Sequence, residues 1–176
     1  MFCLEGTGAL SHFSLRHRPE MFNEPPVFAA LHVKGTGITR VLEGPVPSWK
    51  IFGRPAAARG LPGATYGLPR LAEAEFSSRF PFATVSLRDP ALPVTVTLTG
   101  WSPFTPPDAA ASSLPVAALE YEFSNTSAAP VELVFSYHAR NFLATGTGGE
   151  GVLAATGGFR LHHPGTPEKP WEESSF

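Results

Sequence analysis

Two carboxylates, Glu120 and Glu122, stand two residues apart in an alternating stretch and are the side chains best suited to acid–base chemistry. On a strand, residues i and i+2 share one face and lie roughly 7 Å apart. Two carboxylates can hydrolyse a glycosidic bond, one as acid and the other as base or nucleophile, when they flank the sugar from opposite sides. Because these two point the same way, we interpret them as a solvated sheet face, with Arg or Lys as suitable cross-strand partners.

Six histidines and one cysteine supply the remaining groups for metal binding or nucleophilic attack. An extended chain directs the adjacent His162 and His163 to opposite faces, and no C-x-x-C or H-E-x-x-H pattern accompanies them, so we interpret them as surface or packing residues. Cys3 is expected to pack against apolar neighbours, and the G-x-S-x-G motif is absent. The sequence predicts no catalytic residue, no metal site and no cofactor.

Two short motifs have simpler structural interpretations. The segment GTGGEG at 146–151 fits G-x-G-x-x-G, but a dinucleotide site needs a helix after the third glycine, and Gly157-Gly158 follows too soon. We expect a flexible surface loop there. Asn125-Thr126-Ser127 fits the glycosylation acceptor pattern and is interpreted as a turn.

The loop from Trp101 to Pro115 is the segment best suited to contact a ligand or another domain. Prolines lower the entropy lost when such a loop is held in one shape, and long ordered loops on a β-scaffold often carry contacts. Two interpretations remain open: the aromatic rings cap an open end of the core, or the loop forms a domain interface or the rim of a sugar site. The candidate contact residues are Trp101, Phe104, Asp108, Ser112 and Ser113.

The composition of the 176-residue chain indicates a folded, strand-rich protein. Its 17 glycines and 19 prolines disfavour long helices, and a hydrophobic content of 43% with 14 phenylalanines is too apolar for a disordered chain. The net charge of −2 comes from scattered residues, so we expect no nucleic-acid partner.

The same survey bears on the cellular location. No apolar run is long enough to span a bilayer, and the start shows no basic segment followed by an apolar core. A single cysteine fits a reducing compartment. We therefore expect no membrane span and a cytoplasmic location.

Alternation of apolar and polar residues predicts the strands. In the clearest case, Val94–Thr99, three aliphatic residues share one face and three threonines the other, as on a half-buried antiparallel sheet. No helix is expected in the Pro/Gly-dense stretch 43–69. A break is expected at Ser77-Ser78, and a hairpin joined by Ser124–Pro130 is expected between two of the strands. The other predicted strands are 27–34, 71–76, 80–87, 117–123, 131–137 and 152–161.

Seven or so short strands without a long helical period predict an all-β fold, an antiparallel β-sandwich of two sheets packed face to face. No repeat or linker divides the chain, so we expect a single domain over 1–176. The tail 164–176 ends in Pro-interrupted sequence with two large aromatic residues. We expect this tail to be irregular and to lead toward a missing C-terminal domain.

Six segments, in order and at plausible spacing, carry a resemblance to a known family. They are EGTGALS at 5–11, EMFNEP at 20–25, GWSPFTP at 100–106, SSLPVA at 112–117, EYEFSN at 120–125 and YHARNF at 137–142. Together they resemble the N-terminal domain of glycoside hydrolase family 116. This family includes the non-lysosomal β-glucosidases that act on glucosylceramide.

The resemblance implies a β-sandwich that packs against a much larger C-terminal α/α barrel, and it places the acid/base and nucleophile carboxylates in that barrel. No catalytic residue is therefore expected here. Family members generally have a glycine-rich segment before the region that matches Met1–Leu4, so we expect a chain shortened at both ends.

The function expected from the resemblance is that of an accessory domain that covers one side of the barrel and positions loops where a β-glucoside enters. The alternative is a self-sufficient carbohydrate-binding module, in which exposed Trp49, Trp101 or Trp171 stacks on sugar rings.

Overall fold

The computed structural model describes residues 2–13, 24–51, 65–142, 151–170 and 173–175. Their regular secondary structure is almost all β-strand, apart from one turn of 3-10 helix at Ser48–Lys50 and one turn of α-helix, α1, at Ala109–Ser112. The strands are β1 (Cys3–Leu4), β2 (Leu10–Ser11), β3 (Val27–Val33), β4 (Ile38–Val41), β5 (Glu73–Arg79), β6 (Phe82–Arg88), β7 (Val94–Trp101), β8 (Ala118–Asn125), β9 (Leu133–Ala139), β10 (Gly151–Ala155), β11 (Gly158–His163) and β12 (Ser174–Ser175).

Two antiparallel sheets form the body of the molecule. One has four strands in the order β5-β6-β7-β8, and the other has three in the order β4-β3-β9. Two smaller sheets, β1-β2 and β10-β11-β12, complete the described part of the chain. One continuous core draws side chains from both larger sheets, so the predicted all-β sandwich is confirmed.

The core is made by matching aliphatic rows from the two sheets. On β7, Val94, Val96 and Leu98 are at most 1% exposed, while the threonines between them face outward as predicted. On β3, Leu31 and Val33 are each 1% exposed and belong to the same cluster. Burying one such side chain stabilises the fold by about 2 kcal/mol, so these rows hold the sheets together.

The hairpin predicted around Ser124–Pro130 is wrong. β8 pairs with β7 over its whole length, whereas β9 pairs with β3 in the opposite sheet. The connection crosses between the sheets, and the backbone N–H of Thr126 donates to the carbonyl of Pro93 at 2.8 Å. Alternation determines which face of a strand is buried but not which strand lies beside it, so it could not identify this crossover.

Aromatic rings close the core where β8 and β9 approach each other from opposite sheets. Phe135 of β9 lies 5.3 Å from Tyr121 and 6.0 Å from Phe123 of β8, measured between ring centroids. Phe135 is still 45% exposed, because within the described residues each of these strands is the last of its sheet. Burial raises the pKa of the Tyr121 hydroxyl well above its usual range.

Two further expectations about strands are wrong. β5 continues through Ser77-Ser78, and its turn into β6 lies at Phe80-Pro81. The single strand expected over 152–161 is a hairpin, because Gly157 takes the left-handed conformation, with φ of 77°, that such a tight turn requires. In both cases the strand ends at residues that can form a turn, and local polarity does not mark that position.

Three other expectations concern Cys3, the Pro/Gly-dense stretch and the tail. Cys3 is exposed and does not pack into the core, because it faces outward from the short β1 strand. In the stretch 43–69, residues 52–64 lie outside the described residues, and the rest contains the 3-10 turn but no α-helix. The tail is not wholly irregular, because β12 adds to the edge of β11.

A close backbone approach at Gly44 provides a test of this packing. A Cβ placed on Gly44 would lie 2.5 Å from the Cβ of Ala74, well inside contact distance. We predict that Gly44→Ala lowers the free energy of unfolding by about 1–3 kcal/mol in urea titrations. Gly67→Ala is the matched control, because its added Cβ meets nothing within 4 Å. Equal stability of the two variants would contradict the packing described.

Candidate functional site

Four exposed aromatic residues, Phe80, Phe82, Trp101 and Phe104, lie at one end of the four-stranded sheet and are called the aromatic surface below. Their exposed fractions are 76%, 47%, 39% and 52%. Phe80 packs edge-on against Phe104 with 4.8 Å between centroids, and Phe82 lies 6.3 Å from Trp101. The rings therefore form two pairs, and the two rings of each pair pack together while remaining open to solvent.

The sheet register explains why these rings face outward. Phe82 and Trp101 are directly opposite each other at the end of the β6–β7 ladder. Further along the same ladder, Val85 and Leu98 are opposite each other and fully buried. Because successive side chains alternate between faces, the burial of Val85 and Leu98 directs Phe82 and Trp101 to the solvent side. Phe80 belongs to the adjoining turn between β5 and β6.

The polar residues predicted in the Trp101–Pro115 loop hold the loop in shape. The carboxylate of Asp108 caps α1 by accepting from the backbone N–H of Ala111 at 2.9 Å. The Ser112 hydroxyl donates to the Asp108 carbonyl at 2.7 Å and accepts from the N–H of Thr105 at 2.9 Å. The Ser113 hydroxyl donates to the carbonyl of the first helical residue at 2.6 Å.

The structure thus divides the five predicted contact residues into two groups. Trp101 and Phe104 belong to the aromatic surface, while Asp108, Ser112 and Ser113 form hydrogen bonds within the loop that connects to it. Sequence analysis missed Phe80, in the turn between β5 and β6, and Phe82, at the start of β6. Finding them requires knowing that Phe82 pairs with Trp101 across the ladder, and the sequence alone does not reveal that register.

The carboxylate pair lies on the same outer face of the sheet. Glu120 and Glu122 are both exposed, as expected for a solvated face. Their cross-strand neighbours on β7 are Thr99 and Thr97, and not the Arg or Lys residues that would suit a carboxylate. Both carboxylates project from one side of the sheet, which does not give the flanking geometry that glycoside hydrolysis needs.

The remaining motifs show no arrangement for metal chemistry. His163 is buried and the adjacent His162 is half-buried, in line with their alternation along β11. Within the described ranges, no group of three His, Cys, Asp or Glu residues could hold a metal ion.

No helix in the described part of the chain is long and apolar enough to cross a bilayer.

The two short motifs differ in how far the structure describes them. The Asn125 side chain accepts from the backbone N–H of Ser127 at 2.9 Å and donates to the carbonyl of Ala129 at 2.7 Å, so the predicted turn is confirmed. Of the glycine-rich motif, only Gly151 lies in the described part, at the start of β10, and residues 146–150 lie outside it.

A second cluster, the ion network, is centred on the Lys50 side chain, which is only 5% exposed. Its ammonium Nζ lies 2.5 Å from Glu5 Oε1 and 2.7 Å from Glu24 Oε1. The hydroxyl of Tyr66 donates to the other oxygen of Glu24 at 2.7 Å. Four segments that are distant in sequence are therefore joined by charge-assisted hydrogen bonds.

Burial alters the proton affinities in and beside this network. Burial disfavours the charged form of Lys50, but hydrogen bonds and charge attraction from Glu24 and Glu5 outweigh it and raise the pKa of the amine. Burial also raises the pKa of the Tyr66 hydroxyl, and its bond to Glu24 adds to the effect. The pKa of Glu43 is raised by burial, which the neighbouring Arg70 guanidinium, 3.2 Å away, only partly offsets.

Sequence analysis missed the ion network as well. Lys50 lies in the Pro/Gly-dense stretch, where a charged residue is ordinarily solvated. The available signal was that Glu5 and Glu24 fall within two of the segments that carry the family resemblance. Because Glu5 and Glu24 share the single ammonium of Lys50, the network links the segments that carry these residues.

Comparison with known proteins was made against family models and curated sequences. A family model described as beta-glucosidase 2, glycosyl-hydrolase family 116 N-term, matches residues 1–174. No curated protein matches the chain. The matching model describes an N-terminal domain, which implies a separate catalytic domain in enzymes of this kind. The match includes both the aromatic surface and the ion network.

The ion network predicts a pH-dependent penalty for losing Lys50. At neutral pH, Lys50→Met leaves two largely buried carboxylates without their cation, so we predict a loss of about 3–5 kcal/mol in the free energy of unfolding. Because the pKa of the Lys50 amine is raised in the folded protein, its stabilising contribution is complete at neutral pH and is lost as the pH rises through the raised folded-state pKa. The loss measured in urea at about pH 11 should therefore be smaller than at neutral pH.

Lys34→Met is the matched control, since Lys34 pairs with Glu132 at 3.1 Å on the surface, where the side chains are 56% and 76% exposed. Its cost should be within about 1 kcal/mol at either pH. A similar cost for both variants, or a loss for Lys50→Met that does not shrink at about pH 11, would contradict the network described.

Proposed function

Since the chain belongs to glycosyl hydrolase family 116 and carries its N-terminal domain, we propose that it is a non-catalytic accessory domain that packs on a catalytic domain through the aromatic surface. The partner in this proposal is a C-terminal α/α barrel that carries the reactive carboxylates. The accessory domain covers one side of the barrel and shapes the entrance for the β-glucoside. The observation that carries the proposal is the solvent exposure of four clustered aromatic rings.

Exposure of these rings is costly unless another surface covers them. Burying an aromatic side chain that is now half exposed removes apolar area from water at roughly 25 cal/mol per Å². Aromatic residues are also enriched at the centres of protein interfaces. Leu114 and Val116, which are 54% and 55% exposed, extend the apolar character along the same loop. A clustered set of this kind is typical of a docking surface.

The aromatic surface is held in place before docking. Phe82 and Trp101 lie on paired strands, and the loop that carries Phe104 is fixed by the hydrogen bonds of Asp108 and Ser112. Because little chain must be ordered when the partner binds, less of the interaction energy is lost to entropy. This rigidity favours a contact of defined geometry, as needed to shape an entrance.

The placement of the acidic residues supports a non-catalytic role. Glu120 and Glu122 project from one face of a sheet, and Glu5, Glu24 and Glu43 are engaged with Lys50, Tyr66 or Arg70. In this proposal the reaction requires carboxylates from the catalytic domain.

A carbohydrate-binding module is the second candidate, favoured by the hydroxyls beside the aromatic surface. Alternation places Thr84 on the same face as Phe82, and Thr99 on the same face as Trp101. A sugar ring could stack on Trp101 while a threonine hydroxyl bonds one of its own hydroxyls. Trp49 is 63% exposed elsewhere on the chain.

We also propose a cytoplasmic location. Cys3 is the single cysteine of the chain, and its thiol is free and exposed. A free surface thiol is suited to a compartment that keeps cysteines reduced.

The docking proposal predicts a strong effect of truncating the exposed rings. We expect the purified chain to bind the catalytic domain of the same enzyme, supplied separately, and Phe80→Ser or Phe104→Ser to weaken binding by at least about tenfold. Surface plasmon resonance measures both. Val134→Ser is the matched control, since Val134 is 44% exposed on β9, in the other sheet. Equal affinity of all three variants would remove the aromatic surface from the interface.

The two candidates differ in what the isolated chain does with sugars. If docking is its role, the chain hydrolyses no aryl β-glucoside, and soluble β-glucans leave its tryptophan fluorescence unchanged. A saturable response that Trp101→Phe abolishes and Trp49→Phe preserves would instead establish a sugar site. Turnover of the glucoside by the purified chain would overturn both candidates.

A further inference from the structure

A groove separates the β10–β11 hairpin from the ends of β3 and β9. Its volume is about 460 Å³, which lies within the range of small-molecule sites in proteins. Six of the nine residues that line it are apolar, and none is acidic. The groove lies away from the aromatic surface, which is built on β6, β7 and their adjoining loops.

The hairpin contributes an apolar face to this groove. In the β10–β11 register, Val152 is opposite Leu161 and Ala154 is opposite Phe159, so all four side chains share one face. Leu161 is buried at 3% exposure, whereas Val152 and Phe159 are 71% and 42% exposed. Leu161 therefore forms a floor, and the two exposed side chains form an open wall.

The opposite wall is a fixed pair of rings. Phe28 of β3 stacks on His138 of β9 with 4.7 Å between centroids and 14° between ring planes. A hydrogen bond of 2.9 Å joins His138 Nε2 to the hydroxyl of Ser136. Both rings are held by neighbours on the sheet, so this wall is preformed.

Arg140 is an exposed residue that lines the groove and is the source of its positive charge. Its backbone N–H donates to the carbonyl of Pro26 at 2.9 Å, which fixes the chain where β9 ends. Its guanidinium, by contrast, forms no hydrogen bond or ion pair with the residues that the structure describes. A guanidinium beside an apolar surface binds carboxylate or sulfate groups well, because its donors match two oxygens at once.

We propose that this groove binds a small amphipathic anion, with its carboxylate or sulfate head on Arg140 and its apolar tail between the hairpin and the Phe28–His138 pair. The charge complementarity of Arg140 and the absence of acidic lining residues select the anionic head. The mostly apolar lining favours a hydrocarbon or aromatic tail over a sugar, which would require several polar partners.

Isothermal titration calorimetry of the full chain with decanoate and decyltrimethylammonium tests this assignment at neutral pH. We expect one site per chain for decanoate and at least about tenfold weaker binding of the cation with the same tail. Arg140→Gln should weaken decanoate binding by about tenfold and remove the preference for the anion. Arg88→Gln, an exposed arginine of β6, is the control with the same loss of charge and should bind like the unmodified chain.

A second pair of variants tests the groove without altering Arg140. Val152→Glu places a negative charge on the apolar wall and should weaken decanoate binding by about tenfold, while Leu153→Glu, on the opposite face of β10, should not. Each variant is first compared with the unmodified chain by circular dichroism. Equal affinity for the anion and the cation, the same effect from both glutamates, or the absence of saturable binding would overturn the proposal.

Discussion

Burial of two aliphatic rows against each other is the interaction on which the rest of this structure depends. The row on β7 and the row on β3 come from different sheets and together exclude water from the space between them. Because side chains alternate along a strand, burying one row directs the other outward. Phe82, Trp101 and the two glutamates of β8 are on the solvent side as a consequence of that burial.

The ion network holds the irregular segments of the same fold in place. Short, Pro-rich segments form few ladder hydrogen bonds, so they need other contacts to hold them on the sandwich. Lys50 joins such segments through Glu5 and Glu24, at the cost of removing three charges from water. Separating the partners of such a pair is strongly destabilising, so the network holds these segments in one arrangement.

Much of the fold could be predicted from local pattern, and the failures that concern strand pairing share one physical cause. The alternation of Val94–Thr99 identified both a strand and its buried face, because that information lies within consecutive residues. The partner of β9 could not be identified, because pairing with β3 depends on contacts made across about a hundred residues of chain. The same limit explains the candidate site: Trp101 was identified by its loop, whereas its neighbour Phe82 depends on the register.

Hydroxyl-radical footprinting of the intact enzyme that contains this domain most directly tests the claim that the aromatic surface is a docking face. Side-chain oxidation at Phe80, Phe82, Trp101 and Phe104 is compared between the isolated chain and the whole enzyme, with exposed Trp49 as the internal reference. The account predicts strong protection of the four rings in the enzyme and unchanged labelling of Trp49. Equal labelling of the four rings in both forms would contradict it.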